Sequence, residues 1–258
     1  MSEWKAFGSR ISLFPAMPPA SPVPSALDLY RRIWGDPDSF QKQPNAFIPT
    51  LAHGKRGRLQ INCVAQPGRI DFNFSAMPTQ VPQMTVDLID DPTELRNELE
   101  HIIGLLDEGF VSNSISRVAL GLQFLNLKLS QAEANKAVTE IIPDVYRVKI
   151  TDEEDFIFQI NRPRMDEDFR DIRINFLTKW SVERFQILTI PVPIAGVPAG
   201  MPLPVPQPTT VISASVAFDN NNIPTRPLSS KEQSALLRKT FHAAAEMQRE
   251  IGLNIEGF

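Results

Sequence analysis

The 258-residue chain is 42% hydrophobic and 22% charged, a balance that supports a sizeable core and excludes a disordered polymer. Its formal net charge of -4 provides no global basic field to draw nucleic acid or anionic lipid. One cysteine, Cys63, excludes an intrachain disulfide and fits a reducing compartment. The start MSEWKAFGSR has no apolar core of signal-peptide length, and the longest uncharged stretch is proline-rich, so a cytoplasmic chain with no membrane partner is expected.

Taken in chain order, Ser9–Leu13 reads as a first strand, followed by the proline cluster PAMPPASPVP. A helix from about 25 to 35 carries Leu27, Tyr30 and Trp34 and stops at Gly35. Strands at 58–65 and 69–76 flank a Gln-Pro-Gly turn and form a hairpin. A second proline group, MPTQVP, precedes a helix from 91 to about 108 with Leu95, Leu99, Ile102, Ile103 and Leu106 on one stripe. A strand at 116–126 leads to a helix from about 130 to 142, ended by Pro143. Strands at 156–161 and 171–177 form another hairpin, with further strands at 183–190 and 210–218, and a last helix runs from 229 to about 250. Asp91, Ser130 and Ser229 each stand three residues before a glutamate, so each of these helices is expected to open with a reciprocal capping box.

Short matches recur in order between the two ends of the chain. Ser9–Leu13 matches Ser116–Leu120, Leu59–Asn62 matches Phe158–Asn161, Ile70–Phe74 matches Ile172–Phe176, and Thr85–Leu88 matches Ser215–Phe218. Collinear matches in a strand, helix, hairpin, strand, helix order point to an internal duplication, with halves at 1–110 and 111–258 inside one compact domain. Between the last two matches the second half carries extra residues that include the proline-rich segment 190–208, which reads as an insertion. Its Ile194, Val197, Met201 and Leu203 offer apolar area either as an interaction arm or as a plain long loop.

In the hairpins Leu59, Ile61, Cys63, Ile70, Phe72, Phe74, Phe158, Ile160, Ile172, Ile174 and Phe176 share one face, and Gln60, Asn62, Asp71, Asn73, Gln159, Asn161, Arg173 and Asn175 the other. One buried and one wet face imply an α+β fold: duplicated β-α-β-β-β-α units forming a curved antiparallel sheet with helices on one side. This order resembles the saddle of the TATA-box-binding-protein fold, in architecture only. The stretch Arg117-Val-Ala-Leu-Gly-Leu-Gln-Phe-Leu-Asn126 also resembles the Arg-(Ile/Val)-Gly-Leu-Arg-Tyr-Ile-Asn strand motif of a sporadically distributed family of uncharacterised bacterial proteins of about this length. It departs from that motif with Ala119 for glycine and Gly121 for arginine. The resemblance implies a prokaryotic or phage origin and brings no active site with it.

No phosphate-binding glycine loop or nucleophile elbow occurs, and no cofactor is expected. His53 reads as a loop residue beside Gly54, and His101 and His242 fall on the two long helices. Cys63 falls on the apolar face as a small core residue. Carboxylates at Asp152–Asp155, Asp166, Asp168 and Asp171 could hold magnesium for a phosphodiesterase, but Arg162, Arg164, Arg170 and Arg173 are interleaved with them and compensate their charge. The most specific signal is the polar sheet face, where Arg10, Gln60, Asn62, Asn73, Arg117, Gln159, Asn161, Arg173 and Asn175 carry amide and guanidinium groups suited to base edges or peptide backbone. The sequence is therefore read as a non-enzymatic binding protein whose partner is another protein or a second copy of the chain. Nucleic-acid binding through the sheet face and metal-dependent phosphodiester cleavage are the alternatives.

Overall fold

The computed structural model describes residues 4–16, 23–42, 49–78, 85–111, 114–128, 130–146, 148, 155–188, 208–253 and 255. They form an open, wholly antiparallel ten-stranded sheet and four α-helices. In chain order these are β1 (Lys5–Pro15), α1 (Ala26–Trp34), β2 (Ser39–Gln41), β3 (Thr50–Arg56), β4 (Leu59–Gln66), β5 (Arg69–Ala76) and α2 (Pro92–Asp107). They continue as β6 (Ile115–Lys128), α3 (Gln131–Thr139), β7 (Ile157–Asn161), β8 (Arg164–Met165), β9 (Arg173–Leu188), β10 (Pro208–Ile223) and α4 (Ser230–Glu250). No helix among the described residues is long and apolar enough to cross a membrane.

Strand order across the sheet is β2-β3-β4-β5-β1-β6-β10-β9-β7, with β8 extending the last edge along β9. The first and sixth strands, far apart in sequence, are neighbours at the centre, paired from Lys5↔Leu125 to Pro15↔Ile115. Alternation turns Ile11, Leu13, Ile70, Phe72, Phe74, Val118, Leu120, Leu122, Phe124, Val216 and Phe218 to one side, where they form a single buried cluster with Leu29, Leu99, Ile103, Val138, Leu237 and Phe241 of the helices. Tyr30 and Trp34 of α1 pack together at 4.9 Å, and Trp34 lies edge-on to Phe72 and Phe74. Phe74 is fully buried, whereas Phe176 is only partly buried beside this core.

The backbone departs from several of these expectations. The segment 171–190, read as two strands, contains the single strand β9, because Thr178, Trp180 and Val182 continue the inward alternation of Ile174 and Phe176. β10 runs five residues past 218 through Asp219, Asn220, Asn221 and Asn222, a run poor in strand formers. Buried amides explain it. Asn220 donates to the Thr240 carbonyl at 2.9 Å, and Asn222 accepts from the Val118 N–H at 2.7 Å while donating to the Ser116 carbonyl at 3.1 Å. The Asn222 side chain thus takes the place of a backbone partner where the β6–β10 ladder ends at Asn221↔Ala119.

The matched segments of the two halves fall on strands at different distances from the centre. Leu59–Asn62 lies on β4 but Phe158–Asn161 on β7, and Ile70–Phe74 lies on β5 but Ile172–Phe176 at the start of β9. Residues 85–88 form no strand, although Ile89 makes one isolated bridge to Ala6. Of the three expected capping boxes, those of Ser130 with Glu133 and Ser229 with Glu232 are reciprocal. At α2 Asp91 accepts from the Thr93 N–H, but Glu94 turns instead to the Arg58 N–H at 2.9 Å, tying the helix to the β3–β4 turn.

The start of α4 is fixed by more than its cap. Arg226 donates to Glu232 at 2.5 Å and to Asp171 at 2.7 Å, joining the helix to the loop before β9. Lys239, about two turns further along the helix face, meets both oxygens of the buried Asp166 at 2.8 Å and Asp168 at 2.6 Å. The Arg226 guanidinium, with help from Ser229, holds the Glu232 carboxyl down at about 2, against an ordinary 4.5.

Two outcomes follow from this packing. Phe74→Ala should lower the unfolding free energy by about 3–5 kcal/mol, and Phe176→Ala by about 1–3 kcal/mol, measured by denaturant titration. Because the folded pKa of Glu232 lies below its unfolded value, its contribution is complete above the unfolded pKa and is lost as the pH falls from 4.5 through about 2. Glu232→Gln should flatten the loss of thermal stability across that window, and an unchanged pH profile would contradict the assignment.

Candidate polar interface on the outer sheet face

Every side chain expected at a binding face projects from the side of the sheet opposite the helical layer. The registers place them in rows that cross the strands. One row runs Ser39, His53, Asn62, Asn73, Arg10, Gly121, Asp219, Leu177 and Asn161 from β2 to β7. The next runs Lys55, Gln60, Ser75, Gly8, Gln123, Ala217, Lys179 and Gln159. At strand spacing of about 4.8 Å, the stretch from His53 to Asp219 spans about 24 Å.

The structure therefore brings Asn62, Asn73 and Arg10 together at directly opposed positions, with His53 beside them. His53, expected in a loop, is a β3 residue whose Nδ1 lies 2.9 Å from the Asn62 side-chain oxygen. Gln159 and Asn161 stand apart from this group on the exposed edge strand β7. Asn161 donates to Asn175 at 3.2 Å, and Asn175 in turn reaches Asn221 at 3.4 Å. Arg173 is exposed at the start of β9, and Arg117 lies near one end of β6. Ile194, Val197, Met201 and Leu203 lie outside the described residues.

At the middle of the face the floor is made of small residues: Gly8, Ser12, Ala119, Gly121 and Ala217. Gly121 leaves β6 bare between Arg10 and Asp219, whose charged groups approach to 4.0 Å across it. The face is not uniformly wet, as its alternation suggested. Ser12, Asp71, Ser181 and Ser215 are buried beneath or beside longer polar side chains. Ser12 donates to Asp71, which also pairs with Arg69 at 2.8 Å. Gln123 donates to both Glu183 and Ser215 at 3.1 Å, Ser181 donates to Glu183 at 3.1 Å, and Lys179 lies 3.5 Å from the same carboxylate. Short hydroxyls are satisfied within these networks, which removes them from solvent without leaving a polar group unmade.

Charge on this face differs in sign from that of the whole chain. Strand residues contribute Arg10, Lys55, Arg69, Arg117, Arg173 and Lys179 against Asp71, Asp219 and Glu183. The three carboxylates take Arg69, Arg10 and Lys179 as partners. Lys55, Arg117 and Arg173 make no ion pair among the described residues, although Arg117 lies over the Phe14 ring at 4.8 Å, opposite Arg69 at 5.5 Å. The Nε atoms of Arg10 and Arg117 make no hydrogen bond, a cost that structures seldom leave standing. His53, Lys55, Gln123 and Lys179 carry no signal of this face in the sequence, because β3 lacks large apolar alternation and the outward positions of Gln123 and Lys179 depend on the register of long strands.

Of the acidic groups, Asp152, Glu153 and Glu154 lie outside the described residues, and Asp155, Asp166, Asp168 and Asp171 pair with basic side chains. Asp166 and Asp168 converge on Lys239, Asp171 goes to Arg226, and Asp155 goes to Arg184 at 2.9 Å. No group of three or more candidate ligands gathers among the described residues. Cys63 is buried, and burial pushes its thiol far above the ordinary range, away from the thiolate a nucleophile needs. No family model, curated protein or solved structure matches the chain.

Proposed function

We propose that the chain is a non-enzymatic binding protein that presents the outer face of its sheet to a partner. The observation that carries this reading is the row His53, Asn62, Asn73, Arg10 and Asp219, which sets hydrogen-bonding side chains across the central strands over a floor of small residues. Such a row offers donors and acceptors at strand spacing, and a floor without bulk lets an extended ligand approach the backbone. The two-halved saddle belongs to the same proposal. Its support is the strand order, which reads outward from the central pair as β5, β4, β3 on one side and β10, β9, β7 on the other, with α1 and α3 after the central strands and α2 and α4 after their neighbours.

A second reading, nucleic-acid binding, is favoured by one observation: the face carries an excess of Arg and Lys in a chain whose net charge is -4. Phosphates would meet Lys55, Arg117 and Arg173, and the amides would meet base edges or sugar hydroxyls.

Native purification of the wild type and of an Arg10→Glu, Arg117→Glu double variant tests both readings. Bound material that disappears in the double variant, at unchanged melting temperature, supports the outer face as the binding surface; identical co-purification from both proteins removes it. An absorbance ratio indicating nucleic acid, with a salt dependence of binding that weakens by about one unit of log–log slope per lost arginine contact, selects the second reading over a protein partner.

A further inference from the structure

The two edges of the sheet are built differently. At one end β2 is three residues long, which limits what can pair with it. At the other end β7 offers Ile157-Phe-Gln-Ile-Asn161, without a charge or a proline. The large apolar side chains exposed among the described residues gather here: Ile157 on β7 (70% exposed), Met165 on β8 (56%), and Val145 (77%), which precedes Tyr146, the ring that packs 5.7 Å from Phe158.

The hydrogen bonds fix which backbone groups of β7 have no partner among the described residues. Val182 donates to the Phe156 carbonyl at 3.0 Å, and Arg162 donates to the Phe176 carbonyl at 2.9 Å. Even-numbered residues therefore turn their backbone toward β9, and Ile157, Gln159 and Asn161 turn N–H and C=O outward. Pro163, the next outward position, has no N–H, so the open ladder is confined to these residues.

We propose that β7 is a homodimer edge, on which a second copy of this chain adds its own β7 antiparallel, centred on Gln159. In that register Gln159 faces Gln159 of the other copy, and each Ile157 faces an Asn161. Every outward donor then meets an outward acceptor, because the pattern is its own complement under a twofold axis. On the helical side Phe158 comes opposite Ile160, covering two half-buried side chains. Asp155 comes beside Pro163 of the second copy, between that copy's Arg162 and Arg164, so the flanking charges attract. The second copy is favoured over an unrelated strand because the register satisfies hydrogen bonding, apolar contact and charge together using this chain alone. The proposal is independent of what the outer face binds.

Sedimentation velocity at tens of micromolar should give wild type at twice the 28.9 kDa chain mass. Ile157→Lys, at an exposed position, should sediment as a monomer with an unchanged melting temperature, and Gln159→Pro should do the same. Gln159→Cys should form a covalent dimer under mild oxidation, because directly opposed residues of a hydrogen-bonded antiparallel pair lie about 5.5 Å apart at Cα, within disulfide reach. Arg96→Cys, on α2, should not. Wild type that stays monomeric, Ile157→Lys that remains dimeric, or Gln159→Cys that cross-links no better than Arg96→Cys overturns the assignment.

Discussion

The pairing of β1 with β6 is the constraint on which the rest of the molecule depends. It joins strands separated by about half the chain, and every other strand is added outward from it, on one side from the N-terminal part and on the other from the C-terminal part. Ile11 with Leu120 and Leu13 with Val118 place fully buried pairs on its helical side. The α2–α4 contact closes over these strands, so both parts of the chain contribute to one core. Such non-local pairing must offset a large loop-closure entropy before its contacts contribute, which is the physical basis of slow folding in sheets of this kind.

The same pair organises the opposite face. Strands at the centre of a sheet have both edges occupied, so their outward side chains are held at fixed spacing by ladders on either side. Arg10 and Gly121 gain their positions in this way, and Asp219 approaches Arg10 to 4.0 Å across the bare backbone of Gly121. The basic side chains of this face stand in a chain whose net charge is -4, so the surplus carboxylates lie on the helical side and in the loops.

Much of the fold could be read from the sequence because strong local signals agreed with the final packing. The helices at Ser25, Asp91, Ser130 and Ser229 start where short polar caps precede apolar stripes, and β4 and β5 alternate cleanly. β3 was illegible for a definite reason. Its inward positions are Ala52 and Gly54, not large apolar residues, because the Tyr30 ring occupies the space a side chain at 54 would need. The extension of β10 through its asparagines was hidden because its stability rests on side-chain bonds to β6 and α4, which no local pattern announces. The polar face was visible as alternation, but its rows depend on register between distant strands. Four-residue matches cannot fix that register, and the repeated Gln-Ile-Asn strings fall on strands that are not at equivalent places in the sheet.

Asn222 has an effect beyond its own bonds. By standing in for a backbone partner of β6, it lets the chain leave the ladder for a few residues and return at Leu228, whose N–H meets the Ile115 carbonyl at 2.6 Å. The excursion carries Arg226 outward, to where it can hold Asp171 and Glu232 together. One amide in the sheet thereby places the ion that steadies the first turn of a helix. The start of β6 and the start of α4, remote in sequence, are thus tied through one connected chain of side-chain and backbone bonds, so that loosening either end removes a support of the other.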